Sequence, residues 1–254
     1  MILRQFLHTS PAIAVSYLLG CGGKGVGAVC DPIADPEVYV QSAQESGMSL
    51  RYVIDTHVHA DHLSSGRKLA ELVGAQYVLH ASTRAQYDFL AVNDNDVLDL
   101  GNVQIRVLHT PGHTPEHISL LVSDKTRGPE PWFLLSGHTL MVGDLGRTEL
   151  AANAEDGARM LFETVQKLKS LPDYVEVLPG AFAGSVCGRS LSGKPMSTIG
   201  FERRFNRAFQ LADREDFVRH MVSEIPSPPP NAKENRAVNL GLSPEPSGVH
   251  SYGR

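Results

Sequence analysis

Histidine is the residue type whose placement could do chemistry in this chain. Of the 11 histidines in 254 residues, eight (His57, His59, His62, His80, His109, His113, His117 and His138) fall between Thr56 and Thr139, where even scatter would put about three or four. Four potential metal ligands crowd into Thr56-His57-Val58-His59-Ala60-Asp61-His62, directly after the apolar run Tyr52–Ile54. Alternation along an extended chain puts His57, His59 and Asp61 on one side. His62 can join them as the chain turns into a helix near Ser65. Neutral imidazoles suit Zn, Fe, Ni or Cu, and a carboxylate extends the range toward harder ions. A lone histidine more often sits in a core or on a surface, but this density at a strand end reads as metal binding.

A second candidate is His109-Thr110-Pro111-Gly112-His113-Thr114-Pro115-Glu116-His117, again after an apolar run. Pro111-Gly112 favours a tight turn that presents His113 outward from the strand end. His109 and His117 lie where one strand stops and the next begins, so a structural role and a supporting role beside a ligand both stay open for them. His80, which also follows an apolar run, reads as a loop residue.

The elements that must position these groups are legible as apolar runs bounded by turn residues. Strands are expected at Tyr52–Ile54, Gln76–Leu79, Val103–Leu108, Ile118–Val122 and Trp132–Leu135. Helices are expected at Pro36–Ser46, Ser65–Val73, Ala154–Ser170 and Phe201–Val222. Strands and helices mix without a repeat, which gives a layered α/β or α+β class. The body reads as one domain, residues 1–225. From Pro226 the composition turns proline-rich and polar, so residues 226–254 are expected to be an extended or disordered tail.

Composition narrows the function. Lys+Arg 23 against Asp+Glu 28 gives a net charge of -5 and a pI near 6.1, with no basic excess to neutralise nucleic-acid phosphates. The run Ala12–Cys21 superficially resembles a short signal sequence, but it is too short to span a bilayer. With the turn residues Gly22-Gly23-Lys24-Gly25 and the run Val26–Val29 it reads as a hairpin. Cys21, Cys30 and Cys187 are odd in number and lack paired spacing, so they are expected to be free thiols in a reducing compartment, here the cytoplasm. No membrane and no nucleic-acid partner are expected; assembly into a homo-oligomer stays open.

The motifs T-H-x-H-x-D-H at Thr56–His62 and H-T-P-G-H-T at His109–Thr114 resemble those of the metallo-β-lactamase superfamily, over about Met1–Val222. Tyr17-Leu18-Leu19-Gly20, Val29-Cys30-Asp31-Pro32 and Gly143-Asp144-Leu145-Gly146-Arg147 look most like its persulfide (sulfur) dioxygenase and glyoxalase II branch. The resemblance implies an α/β fold of the αββα sandwich type, two mixed sheets flanked by helices, with metal at the strand ends. Two positions depart from the pattern. Gly137-His138-Thr139-Leu140-Met141 carries histidine where relatives place a bridging aspartate, and Pro179-Gly180-Ala181 carries alanine where dinuclear relatives have histidine. A tightly held second ion and the bridging hydroxide of a hydrolase are thereby disfavoured.

The first site survives. His57, His113 and His138 match the three iron ligands of persulfide dioxygenases, with His59 beside them, and Asp61 and His62 become groups that orient ligands or move protons. The expected activity is that of a mononuclear Fe(II) sulfur dioxygenase, using O2 to oxidise a thiol-borne persulfide, such as glutathione persulfide, to sulfite and thiol. Two readings stand beside it: a mono-zinc hydrolase of a thioester or related ester, since Zn(II) also suits three imidazoles, and a degenerate member that binds metal or thiols without turnover. Anionic substrate groups need cations, for which Arg147, Arg189 and Lys194 are the candidates. Asp144 is read as the acceptor of its own turn rather than as a ligand.

Overall fold

The computed structural model describes residues 1–244 except 152, 224 and 226. Its apolar runs pair into two six-stranded sheets. The first has the order β1 (Ile2–His8), β2 (Ala14–Cys21), β3 (Val26–Cys30), β4 (Ser49–Ile54), β5 (Gln76–His80) and β6 (Leu90–Val92). β1, β2 and β3 are antiparallel, as the expected hairpin requires, whereas β3 to β6 run parallel. Two of the parallel crossovers carry α1 (Pro36–Glu45) and α2 (Gly66–Val73). The second sheet has the order β12 (Ser197–Thr198), β11 (Glu176–Pro179), β10 (Phe133–Gly137), β9 (Ile118–Asp124), β8 (Val103–His109) and β7 (Val97–Leu100). Its single parallel pair, β10 with β11, is bridged by α3 (Ala154–Lys169).

Side-chain alternation sorts the residues into three apolar layers. Val15, Tyr17 and Leu19 of β2 point between the sheets, toward Val103, Ile105 and Val107 of β8 and Ile118, Leu120 and Val122 of β9. Leu18 points the other way and packs with Tyr39 of α1 and Leu69 of α2. On the far side, Leu134 and Val177 pack with Leu161, Val165 and Leu168 of α3, at helix spacing. This is the αββα sandwich expected from the resemblance.

Two sequence expectations need correction. The single helix expected at Phe201–Val222 is three: α4 (Ile199–Phe205), α5 (Arg207–Gln210) and α6 (Arg214–Val222). Asn206 and Asp213 cause the breaks, because their side chains accept from the backbone N–H of Phe209 and Asp216 and so start new helices. The tail is not extended throughout, since Ala232–Asn239 form α7, which docks on the His57–His62 loop. Pro226 and residues 245–254 of that expectation lie outside the described residues. Among the described residues no helix is long and apolar enough to cross a membrane.

Candidate metal centre

The loops that follow β4, β8 and β10 bring His57, His113 and His138 together, with one ring nitrogen of each within 4.8 Å of the others. All three are buried, and their ring centroids lie 4.8 to 5.1 Å apart.

Hydrogen bonds fix two of the tautomers. The Thr56 hydroxyl donates to the Asp31 carboxylate (2.9 Å) and so accepts from His57 Nδ1–H (2.9 Å). His57 Nε2 is left as a bare lone pair with no protein partner. His113 Nδ1–H donates to the Arg147 carbonyl at 2.8 Å, which frees its Nε2 in the same way. His138 Nδ1 is buried without a partner. Burial and the neighbouring rings hold His57 well below the usual imidazole range; burial drives His113 to about 3 and lowers His138. Three converging neutral imidazoles, two of them (His57 and His138) with a buried nitrogen that has no partner, fit a metal ion, because unpaired buried nitrogens are otherwise costly.

His138 owes its place to its neighbours. Its backbone N–H donates to His117 Nε2 at 3.1 Å, while His117 Nδ1 bonds the Thr110 and Thr139 hydroxyls. Gly137 takes φ +52°, and a Cβ there would stand 2.5 Å from His117 Nε2. His117 is thus structural, and the turn that aims His138 needs glycine. At the other motif, Gly112 at φ +142° is pressed against α3, where a Cβ would meet Leu161 Cβ at 2.4 Å.

His59 belongs to an adjoining group. Its Nε2 bonds Asp31 at 3.2 Å and its Nδ1 lies 3.9 Å from Asp61. Burial disfavours its charge, but the bond to Asp31 and the charges of Asp31, Asp55 and Asp61 prevail and raise it to about 9. His59, Asp61 and His62 form a second set of ligand atoms within 4.8 Å of one another. His62 Nδ1 donates to Asp61 at 2.9 Å and leaves His62 Nε2 without a partner. Burial opposes ionisation of Asp61, yet the charge and hydrogen bond of His62 hold it well below the usual carboxylate range.

Cys187 Sγ–H reaches the other Asp61 oxygen at 3.6 Å, and Asp61, His138 and Cys187 make a third such set. Burial and then Asp61 push this thiol well up, so it stays a neutral donor. Asp31, Cys187 and Glu116, whose Oε1 accepts from Val58 N–H at 3.1 Å, are the site residues that spacing alone did not mark. Asp31 left one trace, the Val29-Cys30-Asp31-Pro32 string at a strand end.

The expected substrate cations are placed differently. The Arg147 guanidinium is buried, paired with Glu149 and bonded to the Val186 and Ser227 carbonyls. What Arg147 gives the site is its backbone oxygen on His113. Arg189 is spent on Asp144 (2.9 Å) and the His220 carbonyl (2.8 Å), which also leaves Asp144 a satisfied turn residue. Lys194 is exposed. Ala181 is buried and offers no ligand atom. A fourth set joins Asp31, Asp55 and His59, whereas His80 and His109 stack on each other at 4.0 Å and join none of the four. The three cysteines are free and buried.

A four-layer sandwich with histidines from the loops after β4, β8 and β10 around one point defines a metal-binding α/β class. No family model matches the chain, but individual proteins do. A Staphylococcus aureus metallo-β-lactamase structure is 34% identical, with a TM-score of 0.87 over 94% of this chain and 72% of that one. The hydroxyacylglutathione hydrolase of Prochlorococcus marinus (strain NATL1A) is 30% identical over 205 residues, 79% of this chain and 75% of that protein. The chain belongs to the metallo-β-lactamase superfamily. Within it, the mitochondrial persulfide dioxygenase ETHE1 of Homo sapiens is 27% identical over 232 residues, 90% of this chain and 84% of that one. The structure of ETHE1 from Myxococcus xanthus is 28% identical, with a TM-score of 0.79 over 94% of this chain and all of that one. Its relatives are thus enzymes of both kinds, oxidoreductase and hydrolase.

Proposed function

We propose that this protein is a mononuclear non-haem iron sulfur dioxygenase acting on a thiol persulfide, glutathione persulfide being the model substrate. The observation that carries the reading is the cluster of three neutral histidines, His57, His113 and His138, beside a second position that lacks both a bridging carboxylate and the late histidine. Persulfide dioxygenase relatives that span 90% of the chain or more favour the same chemistry.

His57, His113 and His138 would hold the metal, with His59 beside them in the adjoining group it forms with Asp61 and His62. Fe(II) held by these residues would supply redox chemistry toward a sulfur anion and O2. Three neutral ligands leave the centre one unit more positive than two histidines and a carboxylate, which favours an anionic sulfur ligand. Asp61, held ionised by His62, can accept a hydrogen bond from the persulfide S–H and so orient it, at the oxygen that now accepts from Cys187. The overall change balances as persulfide plus O2 plus water to thiol plus sulfite plus two protons. With Arg147 and Arg189 engaged internally, Lys194 remains the exposed candidate for the substrate's carboxylates. The buried free thiols suit a reducing compartment such as the cytoplasm.

A second reading is a mono-zinc hydrolase of a thioester, favoured by the 30% identical hydroxyacylglutathione hydrolase. Metal analysis of aerobically and anaerobically purified protein, coupled to an oxygen electrode with glutathione persulfide, separates the two. Iron with oxygen uptake is expected. Stoichiometric zinc with thioester cleavage would replace the proposal by the hydrolase. An intact fold with neither activity would leave a protein that binds without turnover.

A further inference from the structure

The His57–His62 loop lies between β4 and α2 and has no strand to pair with. Its carbonyls therefore need other partners, and α7 supplies them. Arg236 Nη1 donates to Val58 O at 2.7 Å and Asn235 Nδ2 to Ala60 O at 2.9 Å. Asn239 Nδ2 donates to both His59 O and His62 O, each at 2.9 Å. The Asn239 amide oxygen accepts from Ser64 N–H at 3.0 Å, so one side chain spans the loop from residue 59 to 64. Two donors and an acceptor on one short stem are what a carboxamide offers and a carboxylate does not. The Tyr87 hydroxyl holds the Asn239 carbonyl in turn. Arg236 also meets Glu116 Oε1 at 3.5 Å, and that oxygen accepts from Val58 N–H at 3.1 Å. This ties the first ligand loop to the turn that carries His113.

A helix that merely packed would lead with apolar side chains, yet Val238 is the single buried residue of α7. We propose that α7 is a working part of the metal centre. Asn239, aided by Arg236 and Asn235, is a positioning residue that fixes the loop in the geometry where its histidines and Asp61 present their ligand atoms, and it thereby sets how tightly metal is held. This rests on the reading that the histidine cluster takes a metal, whichever reaction follows. A ligand loop fixed beforehand pays less to be ordered on binding, so loosening it speeds metal loss.

The test loads the full-length protein with Co(II) and follows release to excess chelator, the visible cobalt spectrum, and amide hydrogen exchange over residues 57–64 of the metal-free protein. Asn239→Ala and Arg236→Met are compared with the unsubstituted protein and with Leu168→Ala, which weakens the α3 core and leaves the loop contacts untouched. Asn239→Ala is expected to release cobalt at least tenfold faster than the unsubstituted protein and the Leu168→Ala control, with a changed spectrum and faster exchange in the loop. Release at the unsubstituted rate in both loop variants would overturn the proposal alone. Unsubstituted protein that takes up no cobalt would overturn the metal reading along with it.

Discussion

His138 stands in two of the groups of converging ligand atoms, with His57 and His113 and with Asp61 and Cys187. Its backbone is fixed by His117 so that its ring stands against His57 and His113, and burial keeps that ring neutral. Changing groups that merely support a ligand costs about 10–100-fold in metal affinity. His138→Ala removes a ligand atom itself, so metal retention should fall by more than about 100-fold, measured by metal content after chelator challenge. Unchanged content would sink the three-histidine site. At this scale the sequence was readable where ligand types recur at short spacing, as with His57 and His113. It was silent where the partner is distant: Asp31 fixes the tautomer of His57 from 26 positions away, through Thr56, and Cys187 meets Asp61 across 126. The engagement of Arg147 and Arg189 was equally out of view: beyond the local Glu149, Arg147 meets the Val186 and Ser227 carbonyls, and Arg189 meets Asp144 and the His220 carbonyl, all far away along the chain.

Each element behaves as its caps dictate. α3 is started by Asn153, whose side chain accepts from Glu155 N–H and Asp156 N–H, and it ends with Lys167 and Lys169 in the last turn, both of which suit the helix dipole. Asn153→Ala should cost about 1 kcal/mol, a melting shift of about 2–4 °C for a chain of this size, while metal retention stays at the unsubstituted level. A larger loss of metal than of stability would mean that α3 does more than buttress Gly112 through Leu161. β2 to β5, β8 to β10 and the first three helices were readable as apolar runs bounded by turn residues and as apolar residues at helix spacing, whereas β1, β6, β7, β11 and β12, at the sheet edges or short, were not. The break-up of residues 199–222 was not, since it depends on which way the Asn206 and Asp213 side chains turn. α7 was hidden for a related reason. Its apolar pattern is weak, and what holds it is the loop carbonyls, which a sequence does not display.

For the whole molecule, the buried histidines make the stability of the metal-free protein depend on pH in two opposite directions. His57, His113, His117 and His138 have folded pKa values below the ordinary 6.5, chiefly through burial. Below that pH the unfolded chain binds protons that the folded one refuses. Their contribution is therefore full above about pH 6.5 and is lost progressively as pH falls. One such group alone costs about 2 kcal/mol between pH 6.5 and 5. His59 runs the other way. Its pKa rises to about 9 because Asp31 and the neighbouring carboxylates outweigh burial. Its stabilisation is complete below about pH 6.5 and disappears as pH climbs through about 9. Urea unfolding of the metal-free protein should accordingly show a maximum near pH 6.5–7 with a decline on both sides, and His59→Gln should flatten the alkaline side alone. Because metal binds only deprotonated imidazole, loading the site should steepen the acid side. A stability that is level from pH 5 to 6.5 would mean that the four rings are not held neutral, and the converging lone pairs on which the metal centre depends would go with them.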